Sequence, residues 1–192
     1  VSPDENYAFL GFTGGEAENR ALEMISLETG ASLGMLQYQD SEGNYAFPRA
    51  VDVDDQNNLY IGLDGTSEGV QIGFATYNDA GEMELNHRYT ISDNTGLLVR
   101  DIRYRVIDGV AYLYVLVTDG KADTDTANDL IYRFVLLPEN EDRMAPDILF
   151  GEGGSGAANP RALSKRTDGN ILELYAMDVD TDGTVYVSCN GS

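Results

Sequence analysis

The sequence predicts an all-β fold built from repeated four-stranded antiparallel units, and three observations support this prediction. Apolar and polar residues alternate with a period of two along most of the chain, and helical spacing is never sustained. Short polar turns rich in Gly, Asn and Asp separate these runs. A hairpin pattern at residues 50–61 returns at residues 176–187, so part of the chain is a repeat.

The repeated hairpin has the same pattern in both copies. Each copy consists of an alternating apolar and acidic run, a polar turn, and a second run that ends in Tyr and a β-branched residue. This pattern predicts two antiparallel strands joined by a tight turn. The corresponding positions, at a constant offset of 126 residues (178 less 52), are Asp52 and Asp178, Val53 and Val179, Asp54 and Asp180, and Tyr60 and Tyr186.

Turn residues mark the ends of the strands in the first half of the chain. Pro3 fixes φ, and the Asp-Glu-Asn cluster after it supplies a turn before an aromatic-rich strand that ends at Phe12. A second turn, over residues 28–30, separates the next two strands. The strands predicted after Phe12 are residues 21–27, residues 31–39, the two strands of the first hairpin copy, residues 69–77 and residues 82–91.

The second half continues the pattern around two irregular segments. Asp108-Gly109 is a strong two-residue turn signal and predicts a hairpin of residues 99–106 and 110–117. Residues 119–129 have the composition of an acidic loop, and the Gly-rich residues 151–170 that of an insertion between repeats. The other predicted strands are residues 130–137, the start of a short strand over residues 147–150, and the second hairpin copy, whose closing strand is residues 184–189.

The predicted strands fall into sets of four, each about 50 residues long apart from the insertion. Four-stranded units near this length are typical of propeller blades. The sequence therefore predicts a β-propeller-like array of about three to four antiparallel blades in a single domain, residues 1–192. Counted by blade, the strands number three, four, four and two. We expect the chain to be part of a larger propeller, and a self-assembling partial ring is the alternative.

Short motifs in the chain resemble those of known propellers. The hairpin, with its apolar-x-Asp-Val-Asp opening and its apolar-Tyr-apolar close, resembles the blade core of NHL-type β-propellers. The Ser-Pro-Asp opening of residues 1–12 is similar to a strand opening in YncE-like and lactonase-like propellers, and residues 22–30 resemble their following strand and turn. Asn57 stands where the usual turn residue is Gly, although Asn tolerates a positive φ. The resemblance implies the propeller fold, which carries many different functions.

The chain is strongly acidic, with 33 Asp and Glu residues against 12 Lys and Arg residues and a formal net charge of −21. A field of this sign repels phosphate backbones, so it argues against nucleic acid as a partner. Three explanations stay open: Asp-rich loops that bind divalent cations, adaptation to high salt, and an extracellular protein kept soluble by its charge. No apolar run reaches the ~18 residues of a membrane-spanning helix. We expect an extracellular or cell-surface protein, with the periplasm as the alternative.

One acidic motif has the spacing that begins a calcium loop. Asp178, Asp180 and Asp182 alternate and precede a Gly, which lets their oxygens converge on a hard cation. Complete calcium loops need a further carboxylate, but the twelfth position is Cys189 and the ninth is Tyr186. The alternative is a hairpin turn at Asp182 whose carboxylates accept hydrogen bonds from backbone amides. The sequence therefore offers one candidate calcium site and one structural explanation for the same residues.

Two other acidic groups are weaker candidates. Asp52 and Asp54 share one face of a strand, where solvent exposure is the simpler explanation of two like charges. The second group crowds the acidic loop and is either a weak cation site or a solvated surface. Its members are Asp119, Asp123, Asp125 and Asp129.

Catalytic chemistry has little support in the sequence. His87 is the single histidine and lies between polar neighbours in a strand, where we expect it to be exposed. Cys189 is the single cysteine, which excludes an intramolecular disulfide and a multi-cysteine zinc site. The Gly-x-Ser-x-Gly motif of many hydrolases does not occur. We therefore assign no catalytic residue, and calcium is the one candidate cofactor.

These observations predict a non-catalytic extracellular scaffold or protein-interaction module of the propeller type. Its predicted partner is another protein or further copies of the same chain. The alternative function is a calcium-dependent propeller hydrolase, which the resemblance to lactonase-like propellers implies. Such an enzyme requires acidic residues on loops that converge from several blades.

Overall fold

The computed structural model describes residues 1–119, 130–147, 161–162 and 172–191, and most of these residues lie in β-strands. All strand pairs are antiparallel, so the prediction of an all-β antiparallel fold is confirmed. A short 3₁₀ turn at Ala17–Asn19 is the one helical element of the described residues. None of these residues belongs to a helix long and apolar enough to cross a membrane. The strands, in chain order, are β1 (Tyr7–Phe12), β2 (Ala21–Ser26), β3 (Ser32–Leu36), β4 (Phe47–Val53), β5 (Asn58–Thr66), β6 (Gly69–Tyr77), β7 (Met83–Ser92), β8 (Leu98–Ile107), β9 (Val110–Thr118), β10 (Leu130–Leu136), β11 (Met144–Pro146), β12 (Arg161–Ala162), β13 (Leu172–Val179) and β14 (Val185–Gly191).

Within the described ranges, the strands form four sheets. Sheet 1 is β1–β2–β3, sheet 2 is β4–β5–β6–β7, sheet 3 is β8–β9–β10–β11 with β12 paired to β10, and sheet 4 is β13–β14. These strand numbers match the predicted three, four, four and two except for β12, which adds a strand to sheet 3. β12 lies inside the predicted insertion of residues 151–170, and the rest of that insertion lies outside the described residues. The short strand predicted over residues 147–150 does not coincide with β11, which ends at Pro146, and residues 148–150 lie outside the described residues.

The chain divides into two compact units, residues 1–95 and residues 96–192. Unit 1 contains sheets 1 and 2, and unit 2 contains sheets 3 and 4. Each unit therefore pairs one larger sheet with one smaller sheet. A single domain over the whole chain stays a prediction.

In unit 1, sheet 1 packs face to face against sheet 2. Tyr77 contacts Phe9 edge to face, with ring centroids 4.9 Å apart. The backbones also approach closely, because a Cβ atom added at Gly11 of β1 would lie 1.9 Å from the carbonyl oxygen of Pro48 in β4. The core between the sheets thus covers one apolar face of each. Its buried residues are Phe9, Leu22, Met24, Ala46, Leu59, Ile61, Leu63, Ala75 and Tyr77.

In unit 2, sheet 3 packs against sheet 4 in the same way. The Met177 amide of β13 donates a 2.7 Å hydrogen bond to Oδ2 of Asp101 in β8. Because Asp101 is buried, this charge-assisted bond fixes β13 against β8. The buried core residues, from both sheets, are Tyr114, Leu116, Ile131, Leu174, Met177 and Val179.

A β-bulge recurs at the same place in the first strand of sheets 2, 3 and 4. The extra residue is Arg49 in β4, Arg100 in β8 and Tyr175 in β13. A bulge bends its strand and leaves one residue outside the hydrogen-bonded ladder. The repeat therefore extends to details of the backbone, and it includes β8, whose sequence differs from the two hairpin copies.

Candidate functional site

The three predicted calcium ligands lie at the end of β13 and in the turn that follows it. Oδ1 of Asp178 accepts a hydrogen bond from Arg105 Nη2 at 2.7 Å. Oδ1 of Asp180 accepts one from the Asp182 amide at 2.8 Å, and Oδ1 of Asp182 accepts one from the Thr184 amide at 2.8 Å. The structural explanation of the Asp182 turn, in which carboxylates cap backbone amides, is therefore confirmed.

The electrostatics of this turn agree with capping. Hydrogen bonds from Thr184 and with Asp180 lower the pKa of Asp182 to about 2, so its carboxylate is charged at neutral pH. Within the described ranges, no three His, Cys, Asp or Glu side chains are arranged to hold a metal ion. Calcium binding by Asp178, Asp180 and Asp182 stays a prediction, and calcium would have to compete with the hydrogen bonds that these carboxylates already accept.

The same turn occurs four times in the described part of the chain, starting at Asp40, Asp54, Asn78 and Asp180. In each, the side-chain oxygen of the first residue accepts the amide two residues later. Its backbone carbonyl accepts the amide three residues later, and that fourth residue has a positive φ. Asn57, with a φ of 65°, adopts the left-handed conformation expected of an Asn that replaces a turn Gly. The other residues at the fourth position are Gly43, Gly81 and Gly183.

Asp54 is buried, so the expectation that exposure explains Asp52 and Asp54 is wrong for Asp54. Asp54 is 5% exposed, whereas Asp52 is half-buried. The Asp54 carboxylate accepts hydrogen bonds from the Gln56 amide, the Asn58 amide and the Tyr60 hydroxyl, each at 2.9 Å. A carboxylate with this many donors is stable in a buried position.

His87 is half-buried on β7, whereas the sequence predicted exposure. The centroid of its ring lies 5.7 Å from that of Phe74. Its Nε2 atom is buried and has no hydrogen-bond partner among the described residues. His87 therefore packs as an aromatic side chain does. The side chains of Cys189, Asp123, Asp125 and Asp129 lie outside what the structure describes.

Sequence reasoning missed a set of arginine–carboxylate pairs. Arg49 Nε lies 2.9 Å and 2.8 Å from the two carboxylate oxygens of Asp64, whose side chain is fully buried. Arg103 and Asp101 lie two residues apart on β8, but the partners in the other pairs are distant in sequence, so no local signal reveals those pairs. The pairs are Arg49–Asp64, Arg88–Glu68, Arg103–Asp101, Arg105–Asp178 and Arg133–Asp147.

The Arg88–Glu68 pair belongs to a larger polar network. Glu68 also accepts the Tyr38 hydroxyl at 2.7 Å and the Gln71 side-chain amide at 3.0 Å. The hydrogen bond from Tyr38, helped by Arg88, outweighs burial and lowers the pKa of Glu68. Burial and the Glu68 carboxylate raise the pKa of Tyr38. These groups therefore stay in fixed charge states at neutral pH, as structural ion pairs do.

Two guanidinium groups contact one aromatic ring in unit 1. The Cζ atoms of Arg20 and Arg49 lie 3.7 Å and 4.6 Å from the ring centroid of Phe47. Nη1 of Arg20 donates to the Tyr45 carbonyl oxygen at 3.0 Å. We call Arg20, Phe47 and Arg49 the arginine cluster. It concentrates positive charge in a chain whose net charge is −21.

Sheet 1 has apolar residues on both faces. One face forms the core with sheet 2, and the other carries Leu10, Phe12 and Met35, which are 47%, 45% and 64% exposed. Leu10 lies opposite Glu23, and Glu23 lies opposite Met35, so the three form one row across the sheet. We call Leu10, Phe12, Glu23, Ile25 and Met35 the open face of sheet 1.

Sheet 4 also has one exposed face. The side opposite the core carries Ala176, Asp178, Tyr186 and Ser188, all of them exposed. Asp178 pairs with Tyr186, and Ala176 pairs with Ser188. We call these four residues the open face of sheet 4. Arg105 adds a cation to it, because its guanidinium reaches the Asp178 carboxylate.

Comparison with known proteins found no family model that matches this chain, no similar curated protein and no similar solved structure.

Proposed function

We propose that this chain is a non-catalytic protein-interaction module that associates with further copies of itself through the open face of sheet 1. The observation that carries the proposal is the exposure of Leu10, Phe12 and Met35 on one sheet face. Single exposed apolar side chains are ordinary on protein surfaces, but several on one sheet face are a feature of interaction sites. Removing such a group from water supplies the driving force for association.

We also propose that the sheets are successive blades of a propeller-like array, related to the NHL-type and YncE-like propellers. The strand numbers of the four sheets, the hairpin of residues 50–61 that returns at 176–187, and the recurring bulge support it. A blade packs between two neighbours, so it is apolar on both faces. Sheet 1 fits this description, because its second face is apolar and exposed.

The proposed occupant of the open face is a sheet from a second copy. Within each unit, two sheets already pack face to face through apolar residues, so this contact continues a mode of packing that the chain uses twice. The open face of sheet 4 is the matching surface, since it combines Tyr186 and Ala176 with a polar margin. Sheet 1 of one copy on sheet 4 of the next is a head-to-tail contact, which produces rings or open chains.

Charge supports this pairing. Glu23 is the one charged residue of the open face of sheet 1, and it is 9% exposed between Leu10 and Met35. Covering the face removes the remaining water from the Glu23 carboxylate, so the covering surface must supply a cation. Arg105 is such a cation, since its side chain beside Asp178 is 30% exposed.

Sedimentation equilibrium of the purified chain tests the proposal. We expect reversible self-association that strengthens in KCl, because salt screens the repulsion between molecules of net charge −21. Met35→Asp places an uncompensated carboxylate in the contact, and we expect it to raise the dissociation constant at least about tenfold. Val106→Asp is the matched control, because Val106 is 51% exposed and belongs to neither open face.

Two results would contradict the proposal. One is a monomer at every protein and salt concentration. The other is an equal loss of association in Met35→Asp and Val106→Asp, which would mean that added charge, and not the open face, controls association. Far-UV circular dichroism of both variants checks that the sheets are intact.

A further inference from the structure

The negative charge of this chain is concentrated in unit 1. Residues 1–95 contain 17 of the 33 acidic residues but 3 of the 12 basic ones, which gives them a formal net charge of −14 (3 less 17). Residues 96–192 carry the remaining −7. All of unit 1 lies within the described residues, so each of its charges can be assigned to the interior or to the surface.

The positive charges of unit 1 are not on its surface. Its three basic residues are Arg20, Arg49 and Arg88, and all three are half-buried. Arg49 pairs with Asp64, whose side chain is fully buried, and Arg88 pairs with Glu68, whose side chain is 27% exposed. These arginines therefore neutralise buried or partly buried carboxylates and leave the surface charge uncompensated.

The surface of unit 1 carries negative charge alone among its Asp, Glu, Lys and Arg side chains. Eleven acidic side chains of the unit are exposed, and no exposed Lys or Arg side chain accompanies them. Charges of one sign on a compact body repel one another and lower its stability. The exposed residues are Asp4, Glu5, Glu16, Glu18, Glu28, Glu42, Asp55, Asp79, Glu82, Glu84 and Asp93.

We infer that the fold of unit 1 is salt-dependent and is built for an environment of high ionic strength. Unfolding lets the surface carboxylates move apart, so their repulsion favours the unfolded state. The Debye length is about 10 Å at an ionic strength of about 0.1 M and about 3 Å at about 1 M. Salt at the higher concentration therefore screens the repulsion between neighbouring carboxylates and stabilises the folded unit. This explanation of the acidity needs no bound ion.

Urea unfolding at increasing KCl concentration tests the inference, because urea adds no charge. The transition is followed by circular dichroism at a protein concentration too low for association, so the result is independent of the proposed self-association. Between about 0.1 M and about 1 M KCl we expect the unfolding equilibrium constant of the wild-type protein to fall at least about tenfold.

The matched variant carries Glu28→Lys, Glu42→Lys and Glu84→Lys. These side chains are exposed and make no hydrogen bond or ion pair with a described residue. The three substitutions change the formal net charge of unit 1 from −14 to −8 (−14 plus 6). We expect the variant to be more stable than the wild-type protein at low salt and to lose about half of its salt dependence. Glutamine at the same three positions should give an intermediate result.

High salt provides the control for local effects of the substitutions. At about 1 M KCl we expect the unfolding constants of the variants and the wild-type protein to agree within about twofold, because screening removes the difference. A difference that persists there would overturn the inference, as would a wild-type stability that does not respond to KCl. A stabilisation by millimolar calcium or magnesium without a response to KCl would show a bound ion in place of screening and would also overturn it.

Discussion

The Tyr60 hydroxyl donates a 2.9 Å hydrogen bond to Oδ2 of Asp54, six residues before it, and both residues are buried. The Asp54 carboxylate, at the start of the β4–β5 turn, therefore accepts hydrogen bonds both from the turn and from β5. Asp40 is held in a similar way, since the Ser67 amide and hydroxyl both donate to its Oδ2 at 3.0 Å and 2.9 Å. Part of the acidity of this chain is thus structural.

Replacing Asp54 by Ala should destabilise unit 1 by about 3 kcal/mol, because two backbone amides and two side-chain donors lose their acceptor in a buried site. Asp54→Asn is the control, since it keeps one side-chain oxygen and should lose less than half as much. Urea unfolding followed by circular dichroism measures both values. Equal stability of Asp54→Ala and the wild-type protein would contradict the structural role.

Asp40 should make stability depend on pH. Burial alone would raise the pKa of Asp40, but hydrogen bonds from Asn44 and Ser67 outweigh it and hold that pKa well below its usual value. A lowered pKa in the folded state stabilises the fold above the unfolded value of about 3.9, and this contribution is lost as the pH falls.

The matched variant for this prediction is Asp40→Asn, which cannot titrate. We expect the wild-type protein to be more stable than Asp40→Asn at neutral pH, and the difference to shrink at about pH 3, below the unfolded pKa. Denaturant unfolding at the two pH values measures it. A difference that stays constant between them would show that the Asp40 carboxylate is not the titrating group.

The turn at Asp180 separates capping from calcium binding. If capping is its role, Asp180→Asn keeps an acceptor and stays within about 0.5 kcal/mol of the wild-type protein, whereas Asp180→Ala loses about 1 kcal/mol. In that case the melting temperature is the same in calcium, in magnesium and in EDTA, since a ligand raises the melting temperature only by binding the folded state. A rise specific to calcium that disappears in Asp180→Asn would establish the calcium site instead.

Gly11→Ala tests the close approach of β1 to β4. The added Cβ atom would lie 1.9 Å from the Pro48 carbonyl oxygen, and a backbone oxygen cannot move aside cheaply. We expect a loss of about 2 kcal/mol or more in the free energy of unfolding. Gly14→Ala is the control, because no heavy atom lies within 4 Å of a Cβ added there. Similar losses in the two variants would argue against this packing.

Much of the fold could be predicted from the sequence because its signals are local. Alternation with a period of two located most strands. Turns such as the one at Asp54 begin with Asp or Asn and have a residue of positive φ at the fourth position. The same reasoning failed for Asp54 itself, because its carboxylate is enclosed by donors from the turn and from Tyr60 of the next strand. It also failed for His87, whose polar neighbours in sequence are not its neighbours in space.

The arginine cluster and the open face of sheet 1 could not be read from the sequence in the same way. The pair of Arg49 and Asp64 depends on a bulge that shifts the register between β4 and β5. The open face did leave a signal, since β1 reads Tyr-Ala-Phe-Leu-Gly-Phe without polar alternation. Such a run is typical of a strand that is covered on both faces.

Photo-crosslinking from position 35 tests the central claim most directly. Benzoylphenylalanine in place of Met35 lies on the open face of sheet 1, and the same residue in place of Val106 is the control. The account predicts covalent dimers from position 35, with adducts that map to residues 172–191 of a second copy. No dimer, or adducts that map elsewhere and match those from position 106, would contradict it.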